Sequence, residues 1–137
     1  DEINKQDDND ILADNVVYYY ADKETNYVII DGSKFNNKKG SSEVFGISLN
    51  ELGLYDIEVT MKSEQGPLAQ LPLSVYYDNA LKTTITIRGT EGRWVTETRD
   101  LGFVFGVNHY IKLYFGANGL KIDKVVIRFK ESGKLPF

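Results

Sequence analysis

The chain contains no cysteine and a single histidine, His109. Without cysteine it can form neither a disulfide framework nor a thiolate site. A zinc centre would lack nitrogen and sulfur ligands beyond this histidine, and a Ser–His–Asp site would have to be built on it. His109 follows a glycine-containing segment, 106–108, at the start of a predicted strand, and we therefore expect a solvent-exposed turn residue. The composition argues against catalysis by cysteine or histidine.

Long apolar runs and an excess of one charge are also missing. No stretch approaches the length of a membrane span. Lys and Arg number 16 and Asp and Glu 20, a net charge of −4. Residues 1–10 hold five acids and one lysine, so this segment accounts for the whole net charge. The balanced remainder gives no sign of a nucleic-acid or anionic-lipid partner, and we expect neither.

Sequence motifs of common catalytic sites are absent as well. The chain has no GxSxG, HExxH, GxxxxGKS or GxGxxG motif. A pair of carboxylates, as glycosidases use, is possible among 20 acidic residues, but no pair stands in a distinctive setting. We predict that the chain is not an enzyme.

Period-2 alternation of apolar and polar residues is the dominant pattern that is present. It is clearest in the segment 54–62, where every second residue is apolar, as in a half-buried strand. Similar runs lie at 71–77, 84–88, 101–105, 110–115 and 124–130, and weaker ones at 16–20, 27–30 and 43–47. No 11-residue window shows helical spacing of apolar residues. The pattern predicts eight to ten short strands in an all-β, antiparallel sandwich.

Within one of these runs the alternation assigns side chains to faces. Leu101, Phe103 and Phe105 are predicted to point into the core, with Gly102 and Val104 on the opposite face. Because three consecutive tyrosines at 18–20 cannot all point inward in an extended strand, at least one of them is predicted to lie on the surface.

The length of 137 residues is that of one domain. We divide the chain into a flexible acidic leader at 1–10, the sandwich at 11–132 and a tail at 133–137. The start at Asp1 predicts a processed or truncated chain. A spacer behind a removed leader or lipid anchor, and a boundary inside a longer protein, both explain such a start. The first points to a secreted, periplasmic or cell-surface protein.

Several aromatic and amide residues lie in loop-like positions, which suits the binding of saccharides. A sugar offers apolar C–H faces and hydroxyl groups, for which proteins use flat aromatic platforms and directed hydrogen bonds. Trp94, the only tryptophan, follows a glycine-rich turn, and Phe35 precedes two asparagines in the polar loop 32–42. Each could instead anchor the core. Asn118 lies between two glycines, where asparagine is also common for backbone reasons.

From Gly53 onward, the order of motifs resembles that of carbohydrate-binding modules of families 6 and 35, which are β-jelly-roll modules of the galactose-binding-like group. The resemblance covers about 80 residues and lies in the ordered set rather than in any one motif. The matching segments are Gly-Leu-Tyr-Asp-Ile-Glu-Val at 53–59, Thr-Glu-Gly-Arg-Trp at 90–94, the apolar strand 101–105, Gly-Val-Asn-His-Tyr-Ile-Lys-Leu at 106–113 and Lys-Ile-Asp-Lys-Val-Val-Ile at 121–127.

The resemblance implies a sugar site in the loops at one edge of the sandwich. It assigns a stacking role to Trp94 and a second aromatic role, from an early loop, to Phe35 or Tyr27. These families usually place an asparagine before the last strand. Here Lys121 stands in that position, and Asn118 lies three residues earlier as a substitute.

The same families often hold a structural calcium ion between an acid on the first strand and one on the last. Asp14 and Asp123 match these positions, so at most one structural calcium ion is expected. Calcium prefers six to eight oxygen ligands, whereas the resemblance names two. A plain ion pair or a turn role is the alternative for Asp123.

The sequence thus leads to two hypotheses. The first is a non-catalytic module that binds oligo- or polysaccharide and is tethered to a catalytic domain or to the cell surface. The second is a structural or protein-interaction sandwich without a sugar site. The exposure of Trp94 separates them, because a buried indole favours the second.

Overall fold

The computed structural model describes residues 16–104 and 108–132, the last two by their backbone alone. Nine strands lie in these ranges: β1 (Tyr18–Tyr20), β2 (Tyr27–Asp31), β3 (Ser42–Ser48), β4 (Gly53–Lys62), β5 (Gln70–Tyr77), β6 (Ala80–Arg88), β7 (Val95–Val104), β8 (Asn108–Phe115) and β9 (Lys121–Ser132). The prediction of an all-β fold is confirmed. The leader 1–10 and the tail 133–137 lie outside the described residues. No helix in the described part of the chain is long and apolar enough to cross a membrane.

The strands form two sheets. One has the order β1-β3-β8-β5-β6 and the other the order β2-β9-β4-β7. Among the described strands, β1 and β3 form a parallel pair, whereas the other neighbours are antiparallel. Edge strands β6 and β7 belong to different sheets and lie side by side along one open flank of the sandwich.

Alternation in the sequence becomes alternation between core and surface. In β4, the residues at 53, 55, 57, 59 and 61 are buried and those between them are half-buried. The fully buried side chains include Tyr55, Ile57, Leu73, Ile85, Ile111 and Phe115. Burying one large apolar side chain contributes about 1.5–3 kcal/mol, so this shared interior holds the two sheets together.

The predicted facing of β7 is wrong beyond Leu101. The pairing of β4 with β7 skips one residue between Tyr55 and Asp56, so that Tyr55 pairs with Gly102 and Asp56 with Asp100. Gly102 has a φ of 92°, which suits this β-bulge. Because the bulge adds one residue, Val104 is buried, whereas Phe103 is only half-buried. Phe105 lies outside the described residues.

The expectation for His109 is also wrong. Its side chain is buried in β8, since positions 109, 111 and 113 share the core face. Nδ1 lies 2.8 Å from the Tyr77 hydroxyl and 2.8 Å from the Asp78 carboxylate. Burial raises the pKa of the Tyr77 hydroxyl above its usual value. His109 thus links β8 to the β5–β6 turn, and in the described ranges no serine or threonine hydroxyl bonds to it as a triad would require.

Candidate functional site

Three loops meet at one edge of the sandwich. They are the β2–β3 loop at 32–41, the β6–β7 loop at 89–94 and the β8–β9 loop at 116–120. A cavity of about 360 Å³ is lined by the first two of them and by the start of β9. The residues that line the cavity, called here the Trp94 cavity, are Gly32, Ser33, Phe35, Asn37, Trp94, Lys121 and Ile122.

The β2–β3 loop is fixed where it leaves its strand. The amide of Gly32 donates to the carbonyl of Asp123 at 2.9 Å. A Cβ atom on Gly32 would lie only 2.4 Å from Cγ2 of Ile122, so only glycine allows this approach. The Asp31 carboxylate accepts the amide of Ser33 at 2.9 Å, and this bond lowers the pKa of Asp31. Ser33 is therefore held at the rim of the cavity.

Phe35 serves two roles that the sequence leaves as alternatives. Its ring is half-buried and stacks on Phe45 of the core, with centroids 6.1 Å apart and an interplanar angle of 17°. The same side chain lines the Trp94 cavity. Contact with the core therefore holds it in place as an aromatic wall of the site.

Two asparagines connect the loops, and they do so differently. Asn37 lines the cavity, and its Nδ2 donates to the carbonyl of Leu120 at 2.7 Å. Asn118 lies outside the lining. Its Oδ1 accepts the amide of Lys39 at 2.8 Å, and its carbonyl accepts Nε2 of Gln65 at 3.1 Å. Asn37, which the sequence does not single out, is thus the amide that the structure places at the cavity.

The β6–β7 loop is a tight turn. Glu91 and Gly92 have φ values of 52° and 84°, and the amide of Arg93 donates to the carbonyl of Thr90 at 3.1 Å, as in a type I′ turn. Oγ1 of Thr90 accepts the amide of Ser63 and donates to its carbonyl, both at 2.9 Å. The turn is therefore rigidly attached to the β4–β5 connection.

Trp94 directly follows this turn, and its side chain is half exposed, at 48%. Nζ of Lys62 lies over the indole, 4.6 Å from its centroid, and is 3.7 Å from the Glu64 carboxylate. A cation over the ring face is a favourable contact that fixes the indole. The exposed part of Trp94 lines the Trp94 cavity.

Lys121 begins β9 at the far wall of the cavity, with an exposed side chain and no carboxylate within ion-pair distance in the described ranges. Tyr27 lies at the other end of β2 and packs against Arg128, whose guanidinium carbon is 4.9 Å from the ring centroid. Of the predicted ligand-binding residues, the fold thus brings Trp94, Phe35 and Lys121 together.

The predicted calcium ligands do not form a site in the described part of the chain. Asp123 is exposed, and the pairing of β9 with β4 skips it in a bulge. No group of three or more acidic or histidine side chains among the described residues could hold a metal ion. Asp14 lies outside these residues. Because calcium prefers six to eight oxygens, Asp123 alone does not suffice, and the ion remains a prediction.

The lining offers an indole, a phenyl ring, an amide, a hydroxyl and an ammonium group. These groups can stack on a sugar ring and bond its hydroxyls. In the described ranges no carboxylate lines this cavity, so it lacks the acid pair by which glycosidases cleave their substrates.

This chain is similar in sequence to a known protein. No protein-family model matches it. A β-glucosidase of Ruminococcus albus is 31% identical over 99 residues, which cover 72% of this chain and 10% of that protein. The chain thus spans about one tenth of the length of the curated relative that it matches.

Two solved structures resemble the sandwich closely. A β-glucosidase from Paenibacillus barengoltzii has a TM-score of 0.67 at 20% identity, with 85% of this chain and 12% of that chain covered. The C-terminal family 6 carbohydrate-binding module of a marine laminarinase from Zobellia galactanivorans has a TM-score of 0.63 at 18% identity, with 75% and 99% covered. The chain therefore has the jelly-roll fold of family 6 and family 35 modules, as predicted.

Proposed function

We propose that this domain, which has the fold of family 6 and family 35 carbohydrate-binding modules, binds oligo- or polysaccharide without cleaving it. One observation carries the proposal, namely the half-exposed indole of Trp94 in the wall of a cavity. If Trp94 were a core anchor, its indole would be buried. A buried indole would favour the alternative hypothesis of a sandwich without a sugar site. The indole of Trp94, the ring of Phe35 and the amide of Asn37 provide the groups that a sugar needs.

We assign catalysis to other parts of a longer protein. The relatives named β-glucosidase are about eight to ten times as long as the segment they share with this chain, and the Trp94 cavity has no carboxylate in the described ranges. The domain would hold substrate near a catalytic domain or at the cell surface, which raises the local concentration of the two partners. A secreted, periplasmic or cell-surface location would suit this role.

The substitution Trp94→Ala tests the proposal. If the indole stacks on a sugar, its removal should cost about 2 kcal/mol of binding free energy or more, which is roughly a thirtyfold loss of affinity. The melting temperature should move little because the side chain is half exposed. Calorimetric titration with a saccharide found by glycan-array screening measures the first quantity, and thermal unfolding measures the second.

Tyr20→Ala is a matched control, since this tyrosine is 73% exposed on β1, outside the cavity lining. It should leave both quantities unchanged. Full affinity in the Trp94 variant would remove this residue from the site. A loss of about 3–5 kcal/mol of folding stability would instead make the indole a core anchor.

A further inference from the structure

A second cavity, of about 320 Å³, lies on the other side of the β6–β7 turn, along the open flank of the sandwich. It is formed where the edge strand of one sheet lies beside the edge strand of the other. We call it the arginine cleft. Its lining residues are Thr86, Ile87, Arg88, Gly89, Thr90, Arg93, Val95 and Glu97.

The arginine cleft carries two uncompensated positive charges. Arg88 and Arg93 are both exposed, and neither has a carboxylate within ion-pair distance among the residues that the structure describes. The one acid in the lining, Glu97, is already paired with Arg99 at 3.0 Å. Two guanidinium groups without an ion-pair partner, in a domain whose charges balance overall, mark this cleft as a place for an anion.

The shape of the arginine cleft suits an anion that is attached to a larger body. Ile87 is buried and Val95 half-buried, so part of the lining is apolar, while Thr86 adds a hydroxyl group. A guanidinium presents parallel N–H donors that match the two oxygens of a carboxylate or the oxygens of a sulfate. An apolar wall beside such donors fits a sugar ring that bears an acidic group.

The arginine cleft and the Trp94 cavity share a rigid wall. Arg93 and Trp94 are adjacent in sequence, yet the first lines the cleft and the second lines the cavity. Hydrogen bonds from the turn to Ser63 and to the carbonyl of Gln65 hold this wall in place. The two cavities therefore lie on either side of one short turn, which is held in place by its own hydrogen bonds.

We infer that the arginine cleft is a subsite for an acid-bearing unit of the bound saccharide, so that the ligand is an anionic glycan. The inference rests on the proposed function, because the saccharide is first held at Trp94. The shared chemistry is an anion on a sugar ring, and a uronic-acid carboxylate and a sulfate ester are its two sources. Arg88 and Arg93 bind the anion, and Trp94 stacks on an adjacent ring.

Matched saccharides test the inference directly. Titrations compare cellohexaose with cellohexaose oxidised at C6 to glucuronate, and xylohexaose with xylohexaose bearing a glucuronate branch. Cellohexaose sulfated at O6 is the third arm, and it separates sulfate from carboxylate. At least one acidic form should bind about tenfold more tightly than its neutral parent, and the advantage should shrink as salt concentration rises.

Arg88→Gln and Arg93→Gln should each remove most of this tenfold advantage and change the affinity for the neutral parent by a smaller factor. Lys23→Gln is the control, since it removes one exposed positive charge from the β1–β2 turn, outside the lining of either cavity. Its affinities should equal those of the wild type. Thermal unfolding of each variant confirms that the fold is intact.

The outcomes separate this inference from the proposed function. Equal affinity for acidic and neutral forms, with both lost in Trp94→Ala, overturns the inference and keeps the proposed function. An acidic advantage that survives both arginine substitutions also overturns it, since the anion is then bound elsewhere. If no saccharide of the set binds, the inference is overturned. If the wider glycan screen also finds no ligand, the proposed function is overturned.

Discussion

Gly89 shows how one residue can determine the position of a binding loop. A Cβ atom at this position would lie 2.1 Å from the carbonyl oxygen of Gly66 and 2.4 Å from that of Gln65. Both neighbours are backbone atoms, so no side-chain rotation can make room. The close approach lets the β6–β7 turn rest against the β4–β5 connection, which fixes Trp94 on one side and Arg93 on the other.

We therefore expect Gly89→Ala to destabilise the domain by about 1–3 kcal/mol, as overpacking of a tight contact does. Saccharide affinity should fall as well, since the turn must move. Gly66→Ala is the matched control, because a Cβ atom there meets nothing within 4 Å. Its stability should stay within about 0.5 kcal/mol of the wild type. Urea unfolding of both variants measures the difference, and equal stabilities would contradict the argument.

The roles of individual residues are the part of the site that the sequence predicts least well. The glycine-rich turn before Trp94 allows an exposed indole at the edge but leaves a core anchor as the alternative, and the structure decides for the half-exposed position. The resemblance points to Asn118, whereas no pattern in the sequence points to Asn37, although both are asparagines in polar loops. Their difference comes from hydrogen bonds to Leu120 and to Lys39, which join loops that lie far apart in the chain.

At the scale of the strand, the side chain of Lys130 connects its own strand, β9, to two other strands of the same sheet, β4 and β7. Its Nζ lies 3.4 Å from the carboxylate of Asp56 in β4 and 3.1 Å from that of Asp100 in β7. The register of β9 with β4 skips Lys130, so a bulge directs the side chain across β4. The hydrogen bond from Lys130 lowers the pKa of Asp100, and the same bond raises the pKa of Lys130.

These shifts predict how stability depends on pH. Because the folded pKa of Asp100 lies below its unfolded value, its contribution is complete above pH of about 4 and is lost as pH falls through the folded pKa. Asp100→Asn should therefore make the loss of stability below pH 4 (about the ordinary aspartate pKa) less steep. Denaturant unfolding between pH about 2 and 6 measures the slope.

Glu24→Gln provides the comparison, since Glu24 is an exposed acid with no cationic partner among the described residues. Its slope should match that of the wild type. A slope that is the same in the Asp100 variant would show that the bonds to Lys130 add nothing to stability.

Strand positions follow from the sequence far better than strand registers do. Alternation correctly predicts β4, β5 and β8, since each crosses the core with one face buried. It is wrong for Phe103 because a bulge reverses the facing, and the sequence marks that bulge only by Gly102. The expectation for His109 is wrong for another reason. The glycine-containing segment before it suggests a turn, whereas the residue lies on the core face with 111 and 113 and has partners 31 and 32 residues away.

For the molecule as a whole, the binding edge is a product of topology. The sandwich brings together the β2–β3, β6–β7 and β8–β9 loops, and no local pattern encodes that meeting. The resemblance to family 6 and family 35 modules predicts it because those modules share the order of strands. Site residues outside the motifs, such as Asn37, follow only from the three-dimensional structure.

The calcium ion predicted at Asp14 and Asp123 would act on the stability of the whole molecule. A bound ion stabilises the folded state by RT ln(1 + [L]/Kd), which is about 2.7 kcal/mol at a hundredfold excess over Kd. Protein purified with calcium should therefore melt at a lower temperature after chelation, and added calcium should restore the original value. An unchanged melting temperature, in protein shown to contain calcium before chelation, would contradict the prediction.

The position of β9 has a consequence for the order of folding. β9 lies between β2 and β4 in its sheet. Its Arg128 pairs with Tyr27 of β2, although the two residues lie near opposite ends of the chain. The β5–β6 hairpin, by contrast, closes through the two residues Asp78 and Asn79, whose φ values of 47° and 71° match a type I′ turn. The hairpin can form locally and early, whereas β2 stays unpaired until β9 has been synthesised. Such distant pairing places folding in the millisecond-to-second range.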